Sequence, residues 1–78
     1  MHRYKQEMVP LLLDSQNYIY YVTSNEGICS VREINPHNEE KNAHHMVIAE
    51  IKSEKCNGLS IIEDDMFFLD DRKVVTKL

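Results

Sequence analysis

The chain has 78 residues, of which 42% are hydrophobic and 28% charged, and its formal net charge is -4. That length allows one small domain with a thin core, and that composition excludes global disorder. Binding to a nucleic-acid backbone depends on clustered Lys and Arg, so the acidic balance and the scattered basic residues argue against it.

The N-terminal segment, residues 1–8, is polar and is expected to form a flexible arm. The apolar stretch behind it is too short for the core of a signal peptide and is interrupted by Pro10. No apolar run approaches the ~20 residues that a membrane-spanning helix needs. We therefore expect one small β domain over residues 9–78, with no membrane span, no secretory signal and no assigned compartment.

Apolar and β-branched runs separated by polar turn residues predict seven short strands and no helix. Asp14-Ser15-Gln16-Asn17 favours a turn after the first run, and Gly27 can supply a positive φ angle after the second. The run over 46–51 fits a strand, with about two turns of helix over 43–51 as the alternative. The predicted strands are residues 9–14, 18–23, 28–34, 46–51, 59–62, 66–69 and 73–78.

These strands group into two antiparallel meanders, residues 9–51 and 58–78, which makes the expected fold class all-β. Residues 35–45 predict the longest loop, because an Asn-Pro step breaks regular structure and the polar residues after it show no apolar periodicity. The second meander turns twice, at residues 63–65 and 70–72, where Asp residues favour reversal.

Two of the predicted strands are apolar or aromatic at every position: YIYYV over 18–22 and MFFL over 66–69. A sheet with one face in water alternates apolar and polar residues, so both faces of these strands need cover. The strands are therefore expected inside a stack, as in a propeller, a two-layer sandwich or a subunit interface. A small β-sandwich formed by the chain alone is the alternative fold.

One short pattern occurs twice, over residues 12–23 and 59–70, with Ile19-Tyr20-Tyr21-Val22 aligned to Met66-Phe67-Phe68-Leu69 at an offset of 47 residues. Self-similarity at such a period is typical of repeats built from small sheets. In the second copy the order is Gly58-Leu59-Ser60-Ile61, an acidic turn, an aromatic strand that ends in Asp, and a further strand.

That order resembles the blades of β-propellers of the YWTD type, the low-density-lipoprotein-receptor class B repeats, and their looser bacterial relatives. The resemblance covers about residues 9–78 and implies one and three-quarter blades. Asp70 matches the Asp of the YWTD tetrapeptide, which implies buried hydrogen bonds between neighbouring strands. The first copy has Thr23 at that position, and neither copy has the Trp of the tetrapeptide. Since a propeller needs at least four blades, the resemblance implies completion by further blades, by self-association or by a partner.

Cys29 and Cys56 are interpreted as two small buried hydrophobic residues, with a single disulfide as the alternative. No metal site is expected, because neighbouring residues on a strand point to opposite faces and the loop offers no third fixed donor. The histidines considered for such a site are His2, His37, His44 and His45.

Catalytic patterns are also missing: no Ser stands in a nucleophile elbow, and two glycines cannot form a Gly-rich phosphate loop. The Asp pairs at 64–65 and 70–71 lack the spacing of a calcium loop and are expected to form turns. The sequence therefore predicts no enzyme and no cofactor, although a small enzyme subunit whose partner supplies residues stays open.

The function expected is a non-enzymatic interaction or structural module that binds a protein partner or forms a homo-oligomer. The alternative is a small acidic inhibitor or immunity-type protein that binds a basic enzyme site through its Asp pairs and Glu39-Glu40. The candidate interaction residues are Tyr18, Tyr20, Tyr21, Phe67, Phe68, Asp64, Asp65, Asp70 and Asp71.

Overall fold

The computed structural model describes residues 11–36 and 46–78, and in that part of the chain it contains seven β-strands and no helix. All pairings are antiparallel. The all-β class is confirmed, and each predicted strand has a counterpart in the described residues. The strands are β1 (Leu12–Leu13), β2 (Ile19–Asn25), β3 (Ile28–Ile34), β4 (Met46–Lys52), β5 (Leu59–Ile62), β6 (Asp65–Leu69) and β7 (Val75–Lys77).

Four strands form sheet A, in which β1, β2, β3 and β4 lie side by side in chain order. A two-residue turn at Glu26 and Gly27 joins β2 to β3, with φ angles of 50° and 77° that suit the twist of a hairpin. The pairing of β3 with β4 shifts register between Val31 and Arg32, so a bulge bends the outer edge of the sheet. Since β4 occupies Met46–Lys52, the helical alternative is excluded there.

Three strands form sheet B, in the order β5, β6, β7. Its first turn lies at Glu63 and Asp64, with φ angles of 51° and 67°. β7 is shorter than predicted because Lys73 has a φ of 63° and the N–H of Val74 donates to Asp70 Oδ1 at 3.0 Å instead of joining the strand ladder. The predicted N-terminal arm, 1–8, and residues 37–45 of the predicted loop lie outside the described residues.

Each sheet has one face that is buried, and we call these the inner faces. In sheet A the buried side chains of Tyr20, Cys29 and Val31 share one face, as the strand register shows. In sheet B the fully buried Phe68 points to the same side as its partner Leu59. β1 of sheet A lies beside β5 of sheet B, and the buried side chains of the two sheets form the core.

A disulfide fixes the connection between the two sheets. Cys29 in β3 is bonded to Cys56, which lies between β4 and β5, and their Cα atoms are 5.4 Å apart. The interpretation of two unpaired buried cysteines is therefore wrong, and the alternative is what the structure has. The pairing depends on the β4–β5 connection folding back over β3, which sequence spacing alone does not reveal.

Ser53, directly after β4, ties the same connection to both sheets and is 3% exposed. Its N–H donates to the carbonyl oxygen of Gly27 at 2.9 Å, and its hydroxyl donates to the carbonyl oxygen of Lys55 at 2.7 Å. The same hydroxyl oxygen accepts the N–H of Asp71 from sheet B at 3.1 Å. The backbone and the side chain of this one buried residue therefore hold the β2–β3 turn, the connection and the β6–β7 loop together.

Candidate interaction surfaces

The outer face of sheet B is apolar and open. A groove of about 380 Å³ is lined there by Gly58, Ser60, Ile62, Phe67, Leu69 and Val75. Ile62 is 59% exposed, Leu69 45% and Val75 62%. Along its border an ion pair joins Lys77 Nζ to Asp65 Oδ1 at 3.7 Å. Such a surface, apolar in the middle and charged at the rim, has the composition of a protein interface.

The outer face of sheet A is apolar in part, since polar side chains, Thr23 and Ser30 among them, share it by strand register. Leu13 is 58% exposed and Val47 39%, and the side chains of Ile19, Tyr21 and Ile34, which share that face by strand register, are half-buried. The Cα atoms span 39 × 37 × 17 Å, so the described residues form a thin body. Each sheet has one face with buried side chains and one face with exposed apolar side chains.

The five aromatic residues singled out in the sequence divide between these surfaces. Tyr20 and Phe68 lie on the inner faces, at 7% and 0% exposure, and belong to the core. Tyr21 and Phe67 are half-buried on the outer faces, and Tyr18 is half-buried in the β1–β2 loop. Only the last three are placed where a partner could reach them.

Tyr20 packs in the core, and its hydroxyl group is hydrogen-bonded. The hydroxyl donates to Asp14 Oδ2 at 3.0 Å. Burial raises the pKa of Tyr20 far above its ordinary value, and the neighbouring carboxylates of Asp14 and Glu33 raise it further. Tyr20 is therefore neutral over the physiological range and acts as a hydrogen-bond donor.

Asp14 and Asp70 close two loops of the same geometry. Asp14 Oδ1 accepts the N–H groups of Gln16 and Tyr18 at 2.9 and 3.0 Å. Asp70 Oδ1 accepts those of Arg72 and Val74 at 2.9 and 3.0 Å.

The backbone bonds of the two loops correspond as well. In each loop the Asp N–H donates to the carbonyl oxygen four residues later, and the Asp carbonyl oxygen accepts the N–H three residues later. The residue three positions after the Asp has a positive φ, 66° at Asn17 and 63° at Lys73. Asp70 is buried, as the resemblance implied, but the hydrogen bonds that its side chain accepts from Arg72 and Val74 lie within the β6–β7 loop and not between strands.

The remaining Asp residues also have intramolecular partners. Asp64 accepts the hydroxyl and the N–H of Ser15 at 2.6 and 2.9 Å, which joins the β5–β6 turn to the β1–β2 loop and lowers the pKa of Asp64. Asp71 Oδ2 accepts the N–H of Glu54 at 3.1 Å. The two Asp pairs stand at opposite ends of β6, about 17 Å apart for five residues. They do not form one acidic surface.

Gly58 is required by a close approach between neighbouring strands. A Cβ at this position would lie 2.1 Å from the carbonyl oxygen of Leu69. The two backbones also pair, since the N–H of Leu69 donates to the carbonyl oxygen of Gly58 at 3.0 Å. The Gly-Leu start of the predicted strand therefore has a steric cause.

Within residues 11–36 and 46–78, no group of His, Cys, Asp or Glu side chains could hold a metal ion. No helix of this part of the chain is long and apolar enough to cross a membrane. The candidate metal and acidic residues outside the described ranges are His2, His37, Glu39, Glu40, His44 and His45.

Comparisons with protein-family models, with curated proteins and with solved structures gave no match. The interpretation of this chain therefore depends on its own sequence and geometry. Sequence reasoning missed three residues that organise the structure: Asp14, Ser15 and Ser53. Asp14 had a signal, an Asp followed by turn formers after an apolar run, as at Asp70. The partners of the two serines are distant in sequence, at separations of 49 and 18 residues.

Proposed function

We propose that this chain is a non-enzymatic interaction or structural module, a propeller-like pair of sheets whose outer faces are completed by copies of itself or by a protein partner. The observation that carries the proposal is the pair of apolar outer faces on a thin two-sheet body. Exposed apolar patches of this kind in small proteins mark interaction surfaces.

The order of strands supports the comparison with propeller blades. In a propeller each blade is a meander of antiparallel strands, and the chain passes from the outer strand of one blade to the inner strand of the next. Here β4, at one edge of sheet A, leads through Ser53 to β5, which starts sheet B beside β1. Further sheets added on the outer faces would extend the same stack.

Strand starts and positive φ angles support the repeat that we propose from the sequence. β1 and β5 begin at Leu12 and Leu59, and β3 and β7 begin at Ile28 and Val75, both at the sequence offset of 47. The positive φ angles recur at the same offset, 66° and 67° at Asn17 and Asp64. A second pair is Glu26 and Lys73, with 50° and 63°. These coincidences favour two related units over a sandwich of unrelated hairpins.

The alternative of an acidic inhibitor has less support. Its binding surface needs the two Asp pairs together with Glu39-Glu40, and the Asp pairs lie at opposite ends of β6. Asp70 is buried, and the carboxylates of Asp64 and Asp71 accept backbone N–H groups. Electrostatic binding through these side chains would compete with the bonds that hold the fold.

Light scattering after size exclusion, across a concentration series, tests the proposal. We expect the mass of the protein to rise with concentration. Ile62→Lys, which puts a charge on the outer face of sheet B, should lower that mass, while Asn57→Lys, at an exposed site in the β4–β5 connection, should not. Association through apolar faces should also survive high salt, whereas acidic binding weakens steeply. A monomer at every concentration, with no partner recovered, would contradict the proposal.

A further inference from the structure

β7 forms an open edge of sheet B. Its three residues are exposed, as are Val74 and Leu78 on either side, at 51% and 40% for these two. No described strand pairs with its outer side. The corresponding strand of sheet A, β3, has β4 at that edge. An open strand edge is a template for pairing with another chain.

The backbone hydrogen bonds show which groups of β7 face outward. The N–H of Asp70 donates to the carbonyl oxygen of Val74, and the N–H of Leu78 donates to that of Met66. Hydrogen-bonded pairs alternate along an antiparallel ladder, so Val74, Thr76 and Leu78 direct their backbone groups toward β6. Val75 and Lys77 therefore direct one N–H and one C=O each to the open side.

This spacing suits a two-fold pairing of β7 with itself. If Thr76 faces Thr76 of a second copy, Val75 and Lys77 of the two chains exchange N–H···O=C bonds, four in total. Val74 then lies opposite Leu78 of the other copy, an apolar pair at each end. No charge faces a like charge, and Thr opposite Thr is a favourable cross-strand pair.

β4, the edge strand of sheet A, is less suited to this pairing. β4 at the outer edge of sheet A follows the bulge between Val31 and Arg32, and bulges bend and twist an edge away from flat pairing. β7 has no register shift in its pairing with β6. Because β7 is short, the interface is limited to five residues, 74–78.

We infer that two copies of this chain associate by antiparallel pairing of β7 with β7 about a two-fold axis at Thr76, which joins the two sheets B into one six-stranded sheet. A two-fold contact of this kind is closed and uses the same residues on both copies. It involves the edge of sheet B, and it does not depend on the apolar outer faces.

Cysteine cross-linking tests the register. Both native cysteines are held in the disulfide, so an introduced cysteine is the one free thiol. Thr76→Cys places two thiols in a pair without hydrogen bonds, where Cα atoms lie about 4.5 Å apart and a disulfide can form. Val75→Cys is the matched control, because the two copies of residue 75 are displaced by about two residues, roughly 7 Å along the strand.

In a glutathione redox buffer we expect Thr76→Cys to become a disulfide-linked dimer and Val75→Cys to stay unlinked. Equal cross-linking of both variants, or of neither, would overturn the inference. A second pair of variants avoids thiols altogether. Lys77→Pro and Lys77→Ala both remove the Lys side chain and its ion pair with Asp65, but Lys77→Pro also removes the outward N–H, which Lys77→Ala keeps. Lys77→Pro should raise the dimer dissociation constant about tenfold or more, and Lys77→Ala should leave it unchanged.

These results separate the edge from the faces. A dimer that cross-links at residue 76 and keeps its mass in Ile62→Lys supports the edge pairing. It counts against completion of the faces by self-association. An oligomer that dissociates in Ile62→Lys but neither cross-links at residue 76 nor responds to Lys77→Pro overturns the edge pairing and leaves the proposed function standing.

Discussion

The inner and outer faces of the two sheets are made of similar residues but are buried to different extents. On β6, Phe68 points inward and is fully buried, while its neighbour Phe67 points outward and is half-buried in an open groove. On β2, Tyr20 is buried and Tyr21 is half-buried. A strand that is apolar on both faces therefore indicates two contacts, and within the described residues the chain supplies one of them.

The largest expected effect sharpens that comparison on β6. Phe68→Ala should lower the free energy of unfolding by about 4 kcal/mol, since a fully buried ring is lost and a cavity remains. Phe67→Ala should cost roughly half as much or less, because much of its ring already meets water. Urea unfolding of the two variants measures the difference. Equal losses would mean that the outer face of sheet B is as well covered as the inner one.

The disulfide gives the next largest effect, because it closes a long loop between β3 and the β4–β5 connection. With a sequence separation of 27 between the cysteines, reduction should lower the stability of the wild type by about 3.5 kcal/mol in the chain-entropy model. The measurement is the urea midpoint with and without a dithiol reductant. The double variant Cys29→Ala/Cys56→Ala is the control, and its midpoint should not respond to the reductant. An unchanged midpoint in the wild type would show that the connection is held by Ser53 alone.

Asp70 tests whether the buried carboxylate acts by closing its loop. Asp70→Ala removes the acceptor for the N–H groups of Arg72 and Val74 and should cost about 2 to 3 kcal/mol. Asp70→Asn keeps an oxygen in the same place and should recover at least half of that loss. Thermal or urea unfolding checks both. If Asn were as damaging as Ala, the negative charge itself would be needed, and the Arg72 ion pair at 3.8 Å would be the first place to look.

The strands could be predicted from the sequence because the polar turns interrupt the apolar runs sharply. β3 (Ile28–Ile34) and β5 (Leu59–Ile62) have the predicted bounds. β2 begins one residue later than predicted and β7 two. The side chains of Asp14 and Asp70 accept the N–H groups of Tyr18 and Val74, which a propensity argument assigns to the strands. Local pattern does not say which of two acceptors a backbone donor will choose.

The contacts that hold the sheets together could not be predicted, because they depend on residues that meet only after folding. Cys29 finds Cys56, and Ser53 finds Asp71, once the β4–β5 connection crosses the end of sheet A. The patterning argument requires cover on both sides of the aromatic strands. It could not say which ring of Phe67 and Phe68 the chain covers itself, because period-2 alternation is uninformative where both positions are aromatic.

The smallest expected effect concerns the contact between the β1–β2 loop and the β5–β6 turn, where Ser15 donates two hydrogen bonds to Asp64. These bonds lower the pKa of Asp64 below its ordinary value of 3.8, so the stability they contribute is present above that value and is lost as the pH falls through the lower folded-state pKa. Ser15→Ala should return the pKa of Asp64 toward its ordinary value, as a carboxyl NMR titration would show. Asp64→Asn, which tolerates the positive φ of 67°, should lower the melting temperature at pH 6 and lose that difference near pH 2. If Asp64 titrates normally with Ser15 intact, the two loops do not touch in solution, and the alignment of β1 with β5 must be held by the core and the disulfide alone.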